Sequence, residues 1–140
     1  MAKSGATTHQ QQNILARDFG SVNYTVPSVL YIALSTTTIN EDSTGLTEST
    51  DVAYARQSID NNASNWVNLT GGTGRQNNII VEFAPATISQ GTITYMAICD
   101  AVTAGNILYY AELINPKTVG IDDVLRIDSS NIQIRLQPTA

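Results

Sequence analysis

The sequence is poor in the residues that carry most protein chemistry. It holds one cysteine, one histidine and one tryptophan in 140 residues, and only 14% of its side chains are charged, against a globular average of about 25%. The lone Cys99 allows no intrachain disulfide, so a core or an assembly must supply stability. The lone His9 lies in a polar N-terminal stretch, which argues against a Ser-His-Asp or Cys-His nucleophile system. One Cys and one His far apart make no zinc cluster. Seven Lys and Arg stand against twelve Asp and Glu, for a net charge of -5. No basic stripe is available to follow a phosphate backbone, and nucleic acid is not an expected partner. No apolar run reaches the roughly 18 to 20 residues of a membrane span, and residues 1–12 lack the apolar centre of a signal peptide. A soluble product made in the cytosol is expected, with no membrane partner.

Weaker signals for chemistry do not add up to a site. Gly71-Gly72-Thr73-Gly74-Arg75 lacks the spacing of a phosphate-binding loop, and no helical pattern follows it. Asn40, Glu41, Asp42 and Asp51 have neither the alternating spacing nor the turn glycine of an EF-hand, and Asp122-Asp123 reads as a solvated turn. Sequons at Asn23, Asn62 and Asn68 matter only in a secretory setting. No catalytic residue, metal ligand or cofactor is expected.

What is abundant is Thr, Ser, Asn, Gln and Gly, interleaved with short β-rich runs. The chain is organised around residues 91–113, two such runs joined by Ala101-Val102-Thr103-Ala104-Gly105 and read as a hairpin at the centre of a sheet. Strand alternation puts Ile93, Tyr95, Ala97 and Cys99 on one face, and Thr92, Thr94, Met96 and Ile98 on the other. The return strand offers Ile107, Tyr109, Ala111 and Leu113 opposite Leu108, Tyr110 and Glu112. Strands apolar on both faces require cover on both.

Residues 28–35 predict another interior strand. Residues 36–51 are too polar for a core segment and predict a long exposed loop. Short strands are expected over 53–59, after Trp66, over 78–83 and over 124–127, with Trp66 in the core. Residues 70–78 hold too many turn formers for a regular element, and 115–117 predict a turn. Residues 131–137 alternate cleanly, with Ile132, Ile134 and Leu136 on one face, and predict a half-exposed strand. Seven or eight short strands with little helix favour an all-β fold, an antiparallel β-sandwich.

Residues 1–12 have almost nothing to bury and predict a flexible arm, followed by a single domain over 13–140. Ile14, Leu15 and Phe19 suit a short helix, with Asn13 as N-cap and Gly20 as the stop. A two-turn helix is marginal alone and must pack on the sheet or on a neighbour. Residues 1–19 are therefore read as an attachment element, with His9, Gln12, Ile14, Arg17 and Phe19 as partner-binding residues. Arg17, Arg56 and Arg75 could add charge-assisted contacts, and a symmetric homo-oligomer would cover exposed strand edges.

The order of four segments carries a resemblance: SVLYIALSTTTINEDSTGLTE, AYARQSIDNNASNW, GTITYMAICDAVTAGNILYYAEL and PKTVGIDDVLRI. Together they resemble a family of small structural proteins of tailed bacteriophages, tail-fibre-like or serving as capsid decoration. The likeness runs from about residue 13 to 136 and is most specific at Tyr54-Ala55-Arg56 and residues 91–108. It implies a non-enzymatic virion component that binds the major capsid protein or other virion subunits. The absence of internal repeats favours capsid decoration (a cement protein) over a fibre or baseplate component. A carbohydrate-binding module for host recognition, using Tyr95, Tyr109, Tyr110 or Trp66, is the reading from another class.

Overall fold

The computed structural model describes residues 3–136. In chain order the elements are β1 (Ser4–Ala6), α1 (Thr8–Gly20), β2 (Val29–Ser35), β3 (Gln57–Asp60), β4 (Trp66–Asn68) and β5 (Gly74–Asn77). They continue with β6 (Val81–Glu82), β7 (Gly91–Cys99), β8 (Ile107–Val119), β9 (Arg126–Ile127) and β10 (Gln133–Arg135). Every strand pairing is antiparallel. A five-stranded sheet runs β1-β8-β7-β2-β3, a three-stranded sheet β10-β5-β4, and β6 pairs with β9.

The expected hairpin is the β7–β8 pair, and it sits inside the large sheet between β1 and β2. One face packs Ile32, Leu34, Met96 and Ile98 against Trp66, Val81, Phe83 and Ile132, which makes the sandwich core. The other face gathers Ala33, Tyr95, Ala97, Cys99 and Ile107. Its cover comes from residues 36–51, the stretch expected to be a wholly exposed loop. Ile39 is fully buried there, and Leu46 packs beside it. Full burial of Ile39 contributes about 1.5 to 3 kcal/mol, and the half-buried Leu46 adds part of that.

Two irregularities in the β7–β8 register reassign faces. A shift between Ile93 and Tyr95 turns Ile93 into the sandwich core with Met96 and Ile98, although plain alternation groups it with Tyr95. The pairing offset changes there by three residues, and an odd slip exchanges the faces beyond it. The same shift absorbs the turn expected at 115–117. β8 runs on to Val119, and Ile93 pairs with Lys117 while Tyr95 pairs with Glu112. Pro116 therefore lies in the bulged stretch, where a missing N–H costs no ladder bond.

Residues 70–78 do contain a strand, contrary to expectation. The polar β5 is held by its neighbours, β4 on one side and β10 on the other. The fully buried Asn77 strengthens it: its Nδ2 donates to the carbonyls of Ile79 and Asp128, and its Oδ1 accepts from Ile132 N. The strands expected over 53–59, 78–83, 124–127 and 131–137 are shorter in the structure, and Gln137 lies outside the described residues. Among the described residues, no helix is long and apolar enough to cross a membrane.

Candidate interaction surface

The N-terminal stretch differs most from the expected flexible arm and short helix. Ser4, Gly5 and Ala6 pair with Ala111, Tyr110 and Tyr109 of β8. Backbone hydrogen bonds to a strand edge need no apolar side chains, so a polar composition does not prevent order here. Thr7 is fully buried and joins strand to helix. Its N–H donates to Leu108 O, its hydroxyl donates to Ile107 O at 2.6 Å, and the same oxygen caps Gln10 N. Thr7, not Asn13, is the N-cap, and the expected domain boundary after residue 12 falls inside α1. Ser21, with φ 53°, ends the helix in a left-handed cap.

The five expected partner-binding residues share this helix but do not form one patch. His9 and Gln12 are exposed, with His9 Nε2 3.1 Å from Asn13 Nδ2. Phe19 is 86% exposed and Leu15 is 56% exposed; Val22 and Val26 of the following segment are likewise exposed. Ile14 and Arg17 instead line a groove between helix and sheets. The inward-facing residue that composition does not reveal is Gln10. It is buried, accepts from Tyr24 Oη at 3.1 Å and reaches Tyr109 Oη at 3.5 Å.

That groove has a volume of about 1100 Å³ and is lined by both sheets. A smaller cleft of about 480 Å³, with Trp66, Tyr24 and Val26, shares Arg75, Ile98, Tyr109 and Ile134 with it. Trp66 is in the core as expected, and its Nε1 is buried without a hydrogen-bond partner among the described residues. Arg75, one of the arginines expected to add charge-assisted contacts, lies at the larger groove, as does Arg135, which the sequence did not single out.

Arg56 is not available for outside contacts. It is buried, with Nη2 2.8 Å from Glu48 Oε2 and Nη1 donating to the carbonyls of Ala101 and Ala104. It thereby ties residues 36–51 to the hairpin loop. Burial would raise the Glu48 carboxyl, but hydrogen bonds from Arg56 and Tyr54 outweigh it and hold Glu48 below the usual carboxylate range. Burial is the main cause that raises the Tyr54 hydroxyl.

The acidic residues of 36–51 serve the loop's own folding. Asp42 accepts from the backbone and hydroxyl of Thr44. Asp51 is buried and accepts from Gln90 Nε2, from the Thr87 hydroxyl and from the N–H groups of Ala53, Thr87 and Ile88. These bonds, that from Gln90 foremost, push its carboxyl far below the usual range. Among the described residues, no three His, Cys, Asp or Glu side chains converge as a metal site would require. Cys99 is buried, and desolvation pushes its thiol up to about 11.

Comparison with protein families gives a match over residues 5–135, to the family described as podophage GP4 fiber I protein gp80. No curated protein matches the chain.

Proposed function

Because the chain belongs to the podophage GP4 fiber I protein gp80 family, a structural component of the phage virion, we propose that it is a fibre subunit that acts by contact. The family description carries this reading. It supports the fibre reading over the capsid decoration that the lack of repeats favours. The folded body suits a contact role, since buried polar hubs at Asp51, Arg56 and Asn77 stiffen its loops through hydrogen bonds.

The face for attachment is the outer side of α1 and the segment after it. Leu15 and Phe19, four residues apart on the helix, and Val22 just after it expose apolar surface there, and neighbouring exposed apolar groups mark protein contacts. His9 and Gln12 add polar contacts on the same helix. Phe19→Ser with Leu15→Ser should leave the melt unchanged and reduce incorporation into particles at least about tenfold. Normal incorporation of the double variant would remove α1 from the attachment face.

A further inference from the structure

The sandwich is open along one side. The large sheet ends in β1 and the small sheet in β10, and both edge strands line the groove of about 1100 Å³. Ile132 O accepts from Asn77 N, and Leu136 N donates to Thr73 O, so the even-numbered residues on this strand bond to β5. Antiparallel alternation then directs the N–H and C=O of Gln133 and Arg135 away from β5, toward the free edge. β1 is less available, since Gln11 Nε2 already donates to Ala6 O at 2.8 Å.

The groove's floor and its charge are both distinctive. The half-buried Ala111 of the large sheet and Ile134 of β10 present apolar surface, and the buried Met96 and Ile98 line the groove beside them. Three of the chain's seven basic residues line the groove, with one of its twelve acidic residues. Arg17 is paired with that one, Asp18, at 2.9 Å. Among the described residues, neither Arg75 nor Arg135 has a carboxylate within ion-pair distance. On an acidic chain, this concentrates unpaired positive charge beside an open strand edge.

We infer that the groove receives an extended acidic segment of a neighbouring virion subunit, which adds to the small sheet as a strand along β10. Backbone bonds to Gln133 and Arg135 supply register. Alternate side chains enter the apolar floor, and carboxylates meet Arg75 and Arg135. A sugar fits less well, because saccharide stacking needs open aromatic faces: Trp66 and Tyr95 are 6% and 4% exposed, and Tyr109 and Tyr110, which line the groove, are half-buried. The inference rests on the reading of the chain as a virion subunit acting by contact.

The test is an NMR titration of the isotope-labelled full chain with a ten-residue peptide of alternating valine and glutamate. The valine–lysine counterpart and oligogalacturonate serve as comparisons. The glutamate peptide should shift and protect the Gln133 and Arg135 amides with a Kd below about 1 mM, and the lysine peptide should bind at least about tenfold more weakly. Arg75→Glu with Arg135→Glu should weaken the glutamate peptide at least about tenfold, and Gln133→Pro, which deletes an outward donor, should do the same. Circular dichroism confirms that each variant is folded. Equal binding of both peptides, shifts confined elsewhere, no shifts, or oligogalacturonate alone at the groove would each overturn the proposal. Peptide failure with the protein still in particles defeats the groove and spares the virion role; absence from particles defeats that role whatever the titration shows.

Discussion

Gly74 packs against the carbonyl oxygen of Ile134 with no room for a methyl group between them. The Ile134 carbonyl carbon and Arg135 Cα would each stand 3.2 Å from a Cβ at that position. This close approach seats β10 on β5, and so fixes where the groove's open edge lies. Gly74→Ala should cost about 2 to 3 kcal/mol, because backbone and not a flexible side chain would have to move. Urea denaturation measures it, and a loss under about 0.5 kcal/mol would show that the two strands are not held at this contact.

Arg56 joins three parts of the chain through Glu48, Ala101 and Ala104. Arg56→Met keeps much of the side-chain volume but leaves Glu48 and two carbonyls without their donor. The expected loss is about 2 to 4 kcal/mol. Amide exchange should show residues 36–51 and the 100–106 loop opening together in the variant.

Asp51 and Glu48 both titrate below their usual range in the folded protein. A lowered folded pKa means that the unfolded chain binds protons first, so this stability is complete above the unfolded value of about 4. It declines as pH falls from there toward the folded values. Denaturation midpoints should hold between about pH 5 and 8 and drop from pH 4 to 3. Asp51→Asn should make that drop shallower.

Cys99 is fully buried in the second core with its thiol pushed up to about 11. A thiol reagent at pH 8 should label it only at the rate of unfolding. Fast labelling of the native protein would show that residues 36–51 do not cover this face. Trp66→Ala should cost about 3 to 5 kcal/mol, as for other core aromatics.

Elements whose own side chains are β-rich and apolar were legible in the sequence: β2, the β7–β8 pair and the buried position of Trp66. β5 was not, because Gly74, Arg75, Gln76 and Asn77 have no apolar pattern and owe their conformation to strands on both sides. Ile39 and Leu46 are isolated in a polar stretch, so no periodicity marks them as the cover of a sheet face. The start of α1 did leave a signal. Thr7 followed three residues later by Gln10 is a capping-box pattern, and Thr7 caps Gln10 N in the structure. The groove left little trace, since Arg17, Arg75 and Arg135 come from three distant segments and only the fold brings them together.

A cryo-electron-microscopy map of the phage particle distinguishes a fibre subunit held through its α1 and groove side from any other placement of this chain. The fold should fit density in a tail-associated fibre, with Phe19 and the groove edge at Gln133 and Arg135 against a neighbouring subunit. Density for this chain on the capsid shell would contradict the fibre placement. An α1 and groove side open to solvent would contradict the mode of attachment.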